Sequence, residues 1–370
     1  MILLTGAYRL FFPAAGLLAG IAIPLWLVLY MGAADLVEDP LAWHQHEMLW
    51  GYLPAALAGF LFTAIPNWTR RPPLSPAPLG ALFAQWLLAR ILMFLAPEAF
   101  ISQLIAVAFL PTVAGLALRE LVASDNRRNF VVAAMVMLLA ISQAVFLWAD
   151  AELGLTMGFA LAFVLMAQIG GRVTPAFSRN WLKARGIAGL PPSFSPLDRV
   201  SLIIAVTAAV AWVVFGATQV TGFVASLAAL ALTIRLVRWR GWSVISEPLL
   251  FAQHAAYLWL PVSMALLALT SLTDLSSLAQ VRHALGAGAI GTMTVIVMLR
   301  ALLGHSGRAI TATPIDRALL VFLHLGAVLR VVAEWADDPM IFIHAGGTLW
   351  ALGMILFAIR ALPIAFAPRA

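Results

Sequence analysis

Residues 43–68 read WHQHEMLWGYLPAALAGFLFTAIPNW. Three titratable groups, His44, His46 and Glu47, lead into a run of apolar and small residues. That run is long enough to cross a bilayer, which takes about 20 residues of helix. Ionisable side chains where a chain meets lipid are costly, so they are functional candidates by default. The chain has no cysteine and only seven histidines. Imidazoles in that setting point to metal or haem ligation.

The rest of the chain has the same character. Hydrophobic residues make up 63% of the 370 and charged residues 10%, with a mean hydropathy of +0.98. A soluble domain carries about 25% charged residues, so the medium that surrounds this chain is lipid. Twelve apolar segments are expected near 10–31, 46–65, 78–96, 99–118, 130–149, 153–173, 198–216, 219–236, 249–271, 278–303, 317–333 and 340–362. The fold class is an all-α, polytopic membrane bundle. It reads as a single domain over 1–370, with a longer proline-bearing loop at 174–197. No internal repeat is visible, which disfavours transporters built from inverted repeats. The first segment is too long for a signal h-region and no small-residue cleavage site follows it, so the N-terminus is expected to be retained.

Charge places the loops. With the N-terminus inside, Arg9, Arg70, Arg71, Arg127, Arg128, Arg235, Arg238 and Arg308 fall on the cytoplasmic side, and Asp35, Asp39, Asp150, Asp274 and Asp338 fall outside. This positive-inside pattern needs an even number of spans and puts both termini in the cytoplasm. The formal charge of +6 belongs to those loops; no nucleic-acid surface is implied.

Orientation turns position into depth. His44 and His46 (span 2), His283 (span 10) and His344 (span 12) all fall at outer ends, while His254 and His324 lie nearer the cytoplasm. A metal ion near the outer face could draw on His44, His46, His283 and His344, since imidazole suits copper where thiolate is missing. His44, His46, His254 and His283 are candidate haem ligands. Without cysteine, thioether and thiolate attachment are excluded, so haem is expected to be held non-covalently by histidine, with b-type haem the expected form. Arg90, Arg282 and Arg330 break the charge rule in the outer half. Haem propionates would suit their guanidinium groups; ion pairs with neighbours, Arg330 with Glu334 for one, are the plainer reading. Glu47 is the best-placed acid for proton transfer.

Two geometric features stand beside these. Residues i and i+2 of a helix point about 200° apart, so His44 and His46 either lie in a non-helical turn or serve different centres. Glu47, Gly51, Ala55 and Gly59 form a smooth stripe, as do Gly286, Gly288 and Gly291; such stripes admit a neighbouring helix or a flat macrocycle.

The run from Trp43 to Arg90 resembles the signature of the NnrS family of bacterial membrane proteins. Further matches are YRLFFPAAGLLAGIAIPLWL at the start, QIGGRVTPAFSRNWL after span 6, and HALGAGAIGTMTVIVMLRALLGHSGR around span 10. His44, His46, His254, His283, His305, Arg90, Arg172 and Arg300 lie in family-like motifs; His324 and His344 do not. The resemblance implies twelve spans in the bacterial inner membrane, bound haem and copper, and a role in nitric oxide metabolism or resistance. The implied reaction is an oxidoreductase one, with nitric oxide or a related diatomic as substrate and quinol or a periplasmic donor supplying electrons. A haem- or copper-handling transporter or sensor, and a bis-histidine electron carrier without substrate chemistry, are the alternatives.

Overall fold

The computed structural model describes residues 2–370. No strand occurs among them, and twelve helices are long and apolar enough to cross a membrane. In chain order they are α1 (Ala7–Tyr30), α2 (Pro40–Thr69), α3 (Pro76–Leu95) and α4 (Phe100–Ala123). Next come α5 (Arg127–Trp148), α6 (Ala151–Ala184), α7 (Pro196–Phe215) and α8 (Gln219–Arg238). The last four are α9 (Pro248–Leu272), α10 (Leu278–His305), α11 (Pro314–Trp335) and α12 (Pro339–Phe366).

Two boundaries depart from expectation for identifiable reasons. Helix α2 starts at Pro40, not 46, because Asp39 caps it: the carboxylate accepts from Leu41 N at 3.0 Å and Ala42 N at 2.9 Å, and Pro40 fits the first turn, where no N–H is needed. Helix α6 continues to Ala184, through the stretch expected to be loop, with Pro175 inside it. Proline has no N–H, so Pro175 leaves the Gly171 carbonyl without its helical donor. Arg235 supplies one, as described below.

The helices group into two compact units that interleave in sequence. The grouping does not divide the chain at the 174–197 loop. One unit comprises the residues through Gly158 with Val297–Ile310 and Ala351–Ala370. Within it, α1 crosses α2 and α12 at small residues. A Cβ on Gly59 would lie 2.6 Å from the Phe12 ring, and one on Gly16 would lie 2.8 Å from Phe357. The Arg9 guanidinium donates to the carbonyls of Ala365 at 2.8 Å and Ala367 at 2.7 Å. A cation there satisfies the orphan carbonyls at the end of α12 and meets the negative end of its dipole. Ala370 N also donates to Ser306 O at 2.8 Å. The start of α1 and the ends of α10 and α12 therefore lie together, as an even number of crossings requires. Reporter fusions check the sidedness: a C-terminal phosphatase fusion is expected to be inactive and a C-terminal fluorescent fusion bright. An active phosphatase there would place that end in the periplasm and overturn the N-in, C-in reading.

The other unit comprises Phe159–Ile296 and Thr311–Trp350. Its centre is Arg235 of α8, which has no exposed surface. Nε donates to Asp198 Oδ1 at 3.0 Å, one terminal nitrogen to Ala167 O at 3.0 Å and to Tyr257 Oη at 2.9 Å, and the other to Gly171 O at 3.3 Å. One side chain thus joins α6, α7, α8 and α9. Sidedness placed Arg235 on the cytoplasmic side; it lies in the last turn of α8 and is fully buried there.

Candidate functional site

The site begins on α2. Residues 40–46 are α-helical, and from Glu47 to Tyr52 the helix widens into a π turn. A π turn shifts the hydrogen-bond ladder and is common where helices carry function. Here the Gly51 carbonyl inside the turn accepts from the Trp86 indole of α3 at 2.9 Å.

Both histidines are helical, so the non-helical alternative does not hold, and they diverge as a helix requires. The His44 ring stacks on Trp26 of α1 with centroids 4.3 Å apart. His46, 1% exposed, packs against Trp50 and Phe146. Its Nδ1 lies 3.0 Å from Glu47 Oε1, and its Nε2 lies 2.9 Å from the Gln143 amide nitrogen. A carboxylate oxygen only accepts and an amide nitrogen only donates. The proton therefore sits on Nδ1 and the lone pair on Nε2. Glu47 Oε1 also receives Arg90 of α3 at 2.6 Å. The result is a buried series, Arg90–Glu47–His46–Gln143, drawn from α3, α2 and α5. Beside it Trp50 donates to Ser142 Oγ at 3.1 Å, and that hydroxyl donates to Leu139 O at 2.7 Å.

Arg90 is buried and ion-paired, and the anion it meets is a protein carboxylate, where a propionate was expected from the sequence. The pairing also accounts for the glycine stripe. A Cβ on Gly51 would lie 2.5 Å from the Arg90 terminal nitrogen and 2.9 Å from Glu47 Oε2. With Gly59 filled by Phe12, both glycines of the stripe accommodate protein side chains.

The second unit repeats the pattern around His283. Leu278–His283 is α-helical, capped by Ser277 with Gln280, and Ala284–Gly291 is again a π turn. Again an indole reaches a carbonyl inside the turn, Trp350 to Ala287 O at 3.1 Å. Here too the low surface is filled, with Trp259 against Gly288 and Trp350 against Gly291. His283, half-buried, donates from Nδ1 to Ala279 O at 2.7 Å. Buried His254 does the same to Leu250 O at 2.9 Å. Its Nε2, beside the Trp239 carbonyl, has no partner in hydrogen-bond geometry. His324 differs: its Nδ1 accepts from the Trp259 indole at 3.2 Å, which places its proton on Nε2. Arg330 lies 4.0 Å from Glu334, one turn away, as the plainer reading had it. His344 and Arg282 are each half-buried.

Among the described residues, no three histidine, aspartate or glutamate side chains are grouped so as to hold a metal ion. Sequence reasoning missed Gln143, Asp198 and Tyr257. The signals were present: Ser142–Gln143 interrupts an apolar run, and Ser195-x-x-Asp198 is a capping-box pattern.

A family model described as NnrS protein matches residues 2–369. No curated protein matches the chain.

Proposed function

The chain belongs to the NnrS family, and from that premise we propose a haem- and copper-binding redox protein of the bacterial inner membrane, acting in nitric oxide metabolism or resistance. The proposed reaction is reduction of nitric oxide, with quinol or a periplasmic protein as electron donor. Bound haem would supply an iron that takes a diatomic ligand, and copper a second redox centre.

The observation that carries the haem half is the state of His254 and His283. A metal-binding histidine characteristically donates its other ring N–H to a carbonyl or carboxylate, which sets the tautomer and ring orientation. Both residues donate from Nδ1 to the carbonyl four residues back, so in each the lone pair is on Nε2. In His254 that nitrogen is buried and lies beside the Trp239 carbonyl, outside strict hydrogen-bond geometry. Each of these two residues would be able to hold a haem b iron through its imidazole.

Copper fits less well. The expected donors His44, His46, His283 and His344 form no preassembled set of three or more; His44 is stacked on Trp26 and His46 is bonded on both nitrogens. The copper half therefore rests on family membership and on the suitability of imidazole. Glu47 is placed in the buried series with His46 and Arg90, where it orients His46 and can pass a proton along it.

Absorption spectroscopy with metal counting on the purified protein tests both halves. Protein made with haem precursors and copper is expected to carry non-covalent b-type haem that binds nitric oxide. Replacing His254 or His283 by alanine is expected to remove or reshape the haem spectrum. A wild-type spectrum in every one of the H44A, H46A, H254A and H283A variants would defeat the haem assignment. Iron without copper would remove the second centre.

A further inference from the structure

Three helix ends of the first unit carry arginines that the candidate site does not use. Arg70 and Arg71 follow α2, Arg119 lies in the last turns of α4, and Arg127 and Arg128 open α5. All five side chains are exposed. The fold gathers them. The Asn126 amide donates to Trp68 O at 2.8 Å, which ties the turn between α4 and α5 to the end of α2. Arg71 reaches Glu120 of α4 at 2.7 Å, and Arg119 meets the same carboxylate at 2.8 Å.

Charge in this cluster is lopsided. Glu120 is shared by two arginines, and Arg127 pairs with Asp125 at 2.8 Å. Arg70 and Arg128, each two residues from the tie between Trp68 and Asn126, form no ion pair among the described residues. Five guanidinium groups therefore face two carboxylates. The pairs that do form are partly open to solvent, where such contacts are weak, so they can share donors with an incoming anion. Guanidinium groups take phosphate oxygens in a two-pronged geometry.

The surroundings favour one source of phosphate. The cluster stands at the ends of three helices that cross the membrane, where basic groups meet lipid headgroups. On the same helices, beside the arginines, Leu118, Val122 and Val131 present exposed apolar side chains. A soluble phosphate would use the arginines alone. A phospholipid would use both surfaces, its phosphate on the cations and its acyl chains on the apolar side chains.

We propose that this cluster binds an anionic phospholipid of the surrounding membrane, with the headgroup phosphate on Arg70 and Arg128 and the acyl chains along α4 and α5. The site is separate from the histidines, and the inference holds whether or not haem and copper are bound.

The first test titrates delipidated full-length protein in detergent with cardiolipin, read by native mass spectrometry. R70Q/R128Q alters two exposed side chains and is expected to bind about thirtyfold more weakly, with each arginine taken at its usual worth near an anionic surface. R199Q, which removes an exposed arginine of the other unit, is expected to bind as wild type does. Equal affinity in wild type and R70Q/R128Q would overturn the proposal. An equal loss in R199Q would do the same, since the attraction would then belong to overall charge. Glycerophosphate at matched phosphate concentration is expected to leave cardiolipin bound; displacement would assign the arginines to a soluble phosphate instead. The second test locates the lipid. The chain has no cysteine, so V122C takes a single fluorescent label. Cardiolipin with brominated chains is expected to quench that label more than brominated phosphatidylethanolamine does at equal chain content. The excess should disappear in V122C/R70Q/R128Q. Equal quenching by the two lipids would show that no anionic lipid is held there.

Discussion

Glu47→Gln is expected to destabilise the protein by about 3–5 kcal/mol, the cost of leaving one buried charge without its partner. The side chains of Arg90 and Glu47 are 7% and 2% exposed, so water does little to screen the loss. The neutral amide of the variant still reaches His46, but Arg90 keeps its charge in a membrane-buried setting. Adding Arg90→Met removes that charge, and the double variant is expected to regain most of the loss, because replacing a buried pair by apolar groups is often nearly neutral. Unfolding in mixed detergent, read by circular dichroism, measures both effects. A loss under about 1 kcal/mol for E47Q, the range of an exposed pair, would mean that water reaches the site. Gly51→Ala should resemble E47Q in kind, since its new methyl group would sit 2.5 Å from the Arg90 terminal nitrogen and would force the pair apart.

Arg235→Met is expected to cost a comparable amount, because it removes the nearer of the two guanidinium partners of Asp198, which keeps Arg238 at 3.7 Å, and the side-chain donor to the Gly171 carbonyl. Breaking a buried pair costs about 3–5 kcal/mol, and the unsatisfied Gly171 carbonyl adds about 1–3 kcal/mol. Arg235→Lys should recover little, since an ammonium cannot reproduce the planar fork that serves α6, α7 and α9 together. A sharper check comes from Pro175→Ala. Restoring an N–H at 175 gives the Gly171 carbonyl a helical donor again, so P175A should relieve part of the R235M defect. The same readout applies. If P175A brings no relief in the R235M background, Arg235 does not act through the Gly171 carbonyl.

His44 and His46 were separable without coordinates, because a two-residue step on a helix turns by about 200°; the structure places one on Trp26 and the other on Gln143. The small-residue stripe at Gly51 and Gly59 was visible too, with its occupant undetermined. Gly51 receives a guanidinium, an outcome that depends on where α3 crosses. The π turns after His46 and His283 left no mark in the hydropathy. Each is supported by an indole from another helix, Trp86 in one and Trp350 in the other.

By itself, then, the sequence determined the number of helices, their lipid surroundings and the family. Those properties depend on local composition, summed over about 20 residues at a time. Only the tertiary structure decided who meets whom. Arg90 could have faced a cofactor, and Arg235 could have faced water. Glu47 lies 43 residues from Arg90, Gln143 lies 97 residues from His46, and Asp198 lies 37 residues from Arg235. In lipid, apolar surface gives helices little reason to prefer one neighbour over another, so packing and buried polar pairs select the arrangement. Such pairs form across helix crossings, and no local stretch of the chain encodes them.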